Sequence, residues 1–112
     1  MIAGFMVQTA PVRAVIRAIG PSLTGFGITN ALADPSLQLR DQNGEILLEN
    51  DNWKTRPDGT SQRQEIESTG LQPSNDLESA LVATIQPGQY TAQVRGNNQP
   101  AGVGMVQVYF LQ

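Results

Sequence analysis

Apolar and polar side chains alternate with a period of two along most of this chain. Leu37 and Leu39, then Ile46 and Leu48, alternate with Gln38, Arg40, Leu47 and Glu49, and the tight-turn signal Asp41-Gln42-Asn43-Gly44 lies between them. This predicts a β-hairpin with Gly44 as its turn residue. The hairpin ends in the polar run Glu49-Asn50-Asp51-Asn52 and the only tryptophan, Trp53. Val12 to Ile19 is the most strand-like segment. Val12, Ala14, Ile16 and Ala18 share one face, and Arg13, Val15, Arg17 and Ile19 the other. The arginines mark a solvated face, so the Val12/Ile16 face should meet the core.

Four further strands are read at Ile2–Gln8, Ala80–Gln86, Tyr90–Arg95 and Gly102–Leu111, with Gly96 to Ala101 as a loop. Leu81, Ala83 and Ile85 share one face, as do Tyr90, Ala92 and Val94. The last strand is apolar on both faces, which predicts a central position or a face against a neighbouring domain. Ser61 to Thr69 is the one helical stretch. Ser61 with Gln64 fits a capping box, Gly70 a stop, and Ile66 is its inward residue. With so few apolar residues it should form one or two turns pinned across a sheet edge. Gly20-Pro21-Ser22 stops the Val12–Ile19 strand, and Leu23, Phe26, Ile28 and Leu32 should plug one end of the fold. The class is all-β: a single antiparallel β-sandwich of about seven short strands over residues 1–112. A jelly-roll-like order with first and last strands paired would protect both edges.

Composition narrows the chemistry. Among 112 residues there is no cysteine and no histidine, so neither a Ser-His-acid nor a Cys-His arrangement can form. Seven basic against ten acidic residues give a net charge of -3, which does not attract a phosphate backbone, so no nucleic-acid partner is expected. The Ile2–Val7 run is too short to span a membrane. The remaining side chains favour binding over catalysis. Asn50, Asp51 and Asn52 close one strand, and Asp76 and Glu78 open another. If those strands are neighbours, their oxygens could ligate calcium; otherwise they cap strand ends and turns. Trp53 is either a core cover with its N–H bonded or a sugar-stacking platform helped by Tyr109 or Tyr90. Arg17 is expected to cover the Gly20-Pro21-Ser22 loop and bond its carbonyls. The alternative is an anion-binding loop made of Ser22 and backbone amides.

The pieces Val15-Ile16-Arg17-Ala18-Ile19-Gly20-Pro21-Ser22-Leu23, Phe26-Gly27, Ala31-Leu32-Ala33-Asp34-Pro35, Asn50-Asp51-Asn52-Trp53 and Gly102 to Tyr109 together resemble a bacterial module. That module stands at the C-terminal end of, or is repeated within, large secreted or surface proteins, often of Verrucomicrobia and Acidobacteria. The layout is also similar to bacterial pre-peptidase C-terminal domains, in the strand–turn–strand of Leu37–Glu49 and a Pro-Gly-x-Tyr-Thr hairpin at Ile85–Arg95. Some of those bind calcium and some bind polymers. The resemblance implies an extracellular or cell-surface accessory or adhesion module, not an enzyme, that works through a protein partner or self-association at an edge strand. A carbohydrate-binding module attached to a secreted enzyme is the alternative. For calcium it points to Asp51 and Asp76, although no aspartate cluster precedes Ile2. Modules of this kind often carry a further strand before Gly4-Phe5, so the chain is expected either to leave an edge open or to be part of a longer protein.

Overall fold

A computed structural model describes residues 2–97, 99 and 102–111. Seven strands form two antiparallel sheets: β1 Ile2–Val7, β2 Val12–Ile19, β3 Pro35–Asp41, β4 Ile46–Asn50, β5 Ser79–Ile85, β6 Gly88–Gly96 and β7 Met105–Leu111. One sheet has the order β1-β6-β3-β4 and the other β5-β2-β7. The chain changes sheet at every connection except the β3–β4 hairpin, which is the jelly-roll-like alternation. β4 faces β5, β3 faces β2 and β5, and β6 faces β7. The core between the sheets is built from the predicted faces: Ala14, Ile16 and Ala18 of β2, Leu37 and Leu39 of β3, Leu81 and Ile85 of β5, Ala92 and Val94 of β6.

Several placements differ from the expectation. β1 pairs only with β6, and β7 only with β2, so the first and last strands do not protect one another. The last strand is thus an edge, not a centre. Pro87 and Gly88 do not close a hairpin, because β5 and β6 lie in different sheets. The predicted loop at Gly96–Ala101 falls partly outside the described residues.

The β3–β4 turn forms as read. Gly44 takes φ 83°, and its N–H donates to Asp41 O, while the Asp41 carboxylate accepts from Asn43 N–H and Glu45 N–H. A register shift then sets Leu39 opposite Leu48 but Arg40 opposite Ile46, which leaves Leu47 as a bulge. One extra residue moves Ile46 to the outer face. Ile46, Leu47 and Leu48 are all exposed, so the second hairpin strand adds little to the core.

The helix, α1 Arg63–Ser68, lies over β5, the edge strand of the three-stranded sheet, on that sheet's outer face. Ile66, Trp53 and Ala80 make a second small core there, with Val82 against it. Val15 sits on the arginine-bearing face yet is fully buried, opposite Val82 in the register. No capping box forms. Gln62 is the N-cap without a side-chain bond, and Ser61 Oγ accepts from Arg63 N–H. The plug is half as predicted: Leu23 and Leu32 are buried, but Phe26 is 83% exposed at the end of a 3₁₀ helix over Pro21–Phe26.

Candidate functional site

Glu78 is fully buried, and no cation pairs with it among the described residues. Hydrogen-bond donors hold it instead. Its Oε2 accepts from the N–H groups of Gly20 and Ser22, each at 2.9 Å. Its Oε1 accepts from the Ser22 hydroxyl at 2.7 Å and from Asn75 N–H at 3.2 Å. The Ser22 hydroxyl, having donated its proton, accepts from Ser74 at 2.6 Å. The local sequence explains the cradle. Pro21 starts the 3₁₀ helix without needing an N–H partner, and the free amides around it point at the carboxylate. Gly20 is required by close approach, since a Cβ there would lie 2.3 Å from Leu32 O. The Gly20-Pro21-Ser22 loop is therefore an anion nest, and its anion is Glu78 of the same chain.

Arg17 does not cover this loop. Its guanidinium donates to Gln107 Oε1, Leu71 O and Tyr109 Oη, and stacks over the Tyr109 ring at 5.1 Å. These partners lie on β7 and in the segment after α1, so Arg17 ties the helix-side layer to the sheet.

The Asn50–Trp53 run is built into the same framework. Asn50 is buried; its Nδ2 donates to Thr55 O at 2.9 Å and its Oδ1 accepts from Ala80 N–H at 3.1 Å. It thus joins the end of β4 to the start of β5 across the sandwich. The Ser79 hydroxyl lies 2.5 Å from Pro35 O and 2.6 Å from Asp51 O, one proton shared between two carbonyls. The Trp53 backbone N–H donates to Glu78 O, and buried Gln62 donates from Nε2 to Ala80 O. Polar side chains here replace the ladder that neighbouring strands would have supplied.

The predicted calcium ligands are consequently dispersed. Asp76 pairs with Lys54 at 2.9 Å on the surface, Glu78 is held in the nest, and Asn50 is spent on the backbone. Among the described residues no three acidic side chains gather in metal-binding geometry. The sugar-platform reading of Trp53 fails on burial: the residue is 4% exposed, with Lys54 Nζ 5.5 Å from the ring centroid. Its indole N–H has no partner among the described residues, where a bond was expected. Tyr109 is half-buried, with one face taken by Arg17.

What the structure does bring together is Asp51 with Asp34, a residue the sequence reading passed over as a ligand. Asn97 Nδ2 donates to Asp51 Oδ1 at 2.6 Å, while Asp34 Oδ1 and Asn52 Oδ1 have no partner among the described residues. Partial burial, and then the Asp51 charge beside it, raise the Asp34 pKa above the ordinary carboxylate value, against a lowering bond from Asn97. The hairpin register contained the signal. With Leu37 opposite Asn50, the residues before β3 must lie alongside those after β4.

A raised carboxyl pKa means that the folded state favours the protonated form. The ionised pair therefore costs stability at neutral pH, and the cost fades as pH falls through the Asp34 pKa. Asp34→Asn should raise stability at pH 7 by about 0.5 kcal/mol, the scale of a partly screened charge pair. The gain should shrink on acidification, as read by urea denaturation at several pH values. A gain that grows towards low pH would contradict this sign.

Searches among family models, curated proteins and solved structures found no match to this chain.

Proposed function

We propose that this domain is a non-catalytic accessory or adhesion module of an extracellular or cell-surface protein, and that it acts by pairing an open sheet edge with another polypeptide. The carrying observation is the edge chemistry. Among the described residues β1 and β7 are each hydrogen-bonded on one side only, and neither contains a charge or a proline. Ile2, Met6, Met105 and Phe110 stand exposed along them. Natural sheet edges are usually guarded by lysines, prolines or bulges, and these two have none. The polar residues best suited to binding or chemistry, Arg17, Ser22, Asn50 and Glu78, are bonded within the fold, which leaves the edges as the surface for function. No helix among the described residues is long and apolar enough to cross a membrane. Cells displaying the wild-type chain should adhere or clump, and the double variant Met6→Lys, Phe110→Lys should not. Equal behaviour at equal surface display would contradict the reading.

Calcium is a second reading, favoured by the Asp34–Asp51 pair and by the side-chain oxygens of Asp34 and Asn52 that have no partner among the described residues. A cation there would stabilise the native state by mass action. Millimolar calcium should then raise the melting temperature over EDTA, and Asp34→Asn should remove that rise. No shift with calcium leaves a simple repulsive carboxylate pair.

A further inference from the structure

The two sheets are unequal, four strands against three, and the missing strand has a definite place. β4 faces β5 and β6 faces β7, so the sheets are flush on one side. On the other side β1 stands outside β6, and the second sheet ends at β7, which reaches β1 through the Phe110 ring. The inner side chains of β1 show the result. Val7 is buried, but Ala3 and Phe5 are only partly covered, and the ring of Phe110, itself 50% exposed, meets Phe5 edge-on at 6.2 Å. The free edge of β7 forms the wall of this ledge and β1 its floor. The seven-residue β7 is regular, its register with β2 unbroken over its whole length, so its outer ladder is presented without a bulge.

We propose that this ledge is an acceptor site for one additional strand, supplied by an extended segment of a partner polypeptide with uncharged, alternately apolar residues. The proposal rests on the strand-pairing function above and names the edge and the kind of partner. Three features define the occupant. The space is one strand wide, because among the described strands β1 alone overhangs. Floor and wall carry no charge, so a charged inward side chain would be desolvated against Phe5 and Phe110 without a counter-ion. The period of a strand then requires apolar residues at alternate positions to cover those rings, with polar residues between them facing outward. A folded sheet edge fits poorly. In a second copy, β4, β5 and β7 are each backed by a strand of the other sheet, which would collide with β1 on entry. The exception is a second copy's own overhanging β1.

The test uses the whole chain and a synthetic peptide, Lys-Thr-Val-Thr-Val-Thr-Val-Thr-Lys, at up to millimolar concentration. Amide hydrogen exchange over Met105–Leu111 is followed by NMR, alongside sedimentation of the chain alone. The peptide should slow exchange of the outward-facing β7 amides at least tenfold and raise the melting temperature. A peptide with its valines replaced by glutamate should do neither. Phe110→Lys, at an exposed position, should keep its own melting temperature within a few degrees and lose the peptide effect. Equal effects from both peptides would overturn the apolar specificity. If the chain alone dimerises with β1 and β7 both protected, a second copy fills the ledge: the partner assignment falls, while edge pairing stands. If β7 is unaffected but another edge drives association, the ledge falls and edge pairing again stands. If no edge responds and the chain stays monomeric, both fall.

Discussion

Replacing Glu78 with alanine should destabilise the domain by about 3–5 kcal/mol, against a typical total of about 5–15 kcal/mol. The side chain is fully buried and accepts from Gly20 N–H, Ser22 N–H, the Ser22 hydroxyl and Asn75 N–H. Hydrogen bonds to a charged group contribute about 1.5–3 kcal/mol each, and a buried donor left without a partner costs about 1–3 kcal/mol. These terms are not additive, because the cradle can relax, so the sum is capped well below its arithmetic value. Glu78→Gln is the sharper variant. It keeps the volume but turns an amide N–H₂ towards backbone donors, so it should lose most of the same stability. Urea denaturation of both variants at pH 7 provides the measurement. A loss below about 1 kcal/mol for each would mean that the cradle is not anchored by this carboxylate.

Asn50→Ala should cost about 2–4 kcal/mol. It leaves Ala80 N–H and Thr55 O unpartnered where the end of β4 meets the start of β5. Asn50→Asp separates the two bonds. The carboxylate can still accept from Ala80 N–H but cannot donate to Thr55 O while ionised. It should therefore be destabilised at neutral pH and recover in part when acid protonates the new group. If Asn50→Ala is neutral, the joint between the sheets is made by other contacts.

These two residues also mark how far the sequence could be read. The strands were legible because each buries one face: Ala14, Ile16 and Ala18, or Ala92 and Val94, fall at alternate positions and all are buried. Ile66 was legible as the only apolar residue of its helix. The bulge at Leu47 was not, since a single unpaired residue leaves no mark in a run of three apolar side chains, and it turns Ile46 to the outer face while Leu48 stays opposite Leu39. Glu78 misled for a different reason. In a turn-rich acidic stretch it reads as a solvated or metal-ligating group. Its true partners are backbone amides of Gly20 and Ser22, which every residue but proline possesses and no sequence pattern reports. The most distinctive pieces of the chain, Arg17 to Ser22 and Asn50 to Trp53, each admitted a binding reading beside a structural one. The fold spends them on joining its layers. Asp34 and Asp51 show the converse: Asp34, left out of the expected ligand set, meets Asp51 because β3 and β4 are antiparallel neighbours. The unequal sheets, and hence the β1 ledge, depend on which strands pair, and alternation alone does not specify pairing.

Native-state hydrogen exchange on the unmodified protein tests the central claim most directly, because it reads the cradle and the edges in one experiment. The amides of Gly20 and Ser22 should exchange about as slowly as those in the centre of β2, although both lie at a loop. The outward-facing amides of β1 and β7 should exchange fast. Rapid exchange at Gly20 and Ser22, at the rate of an exposed loop, would contradict a nest filled by Glu78.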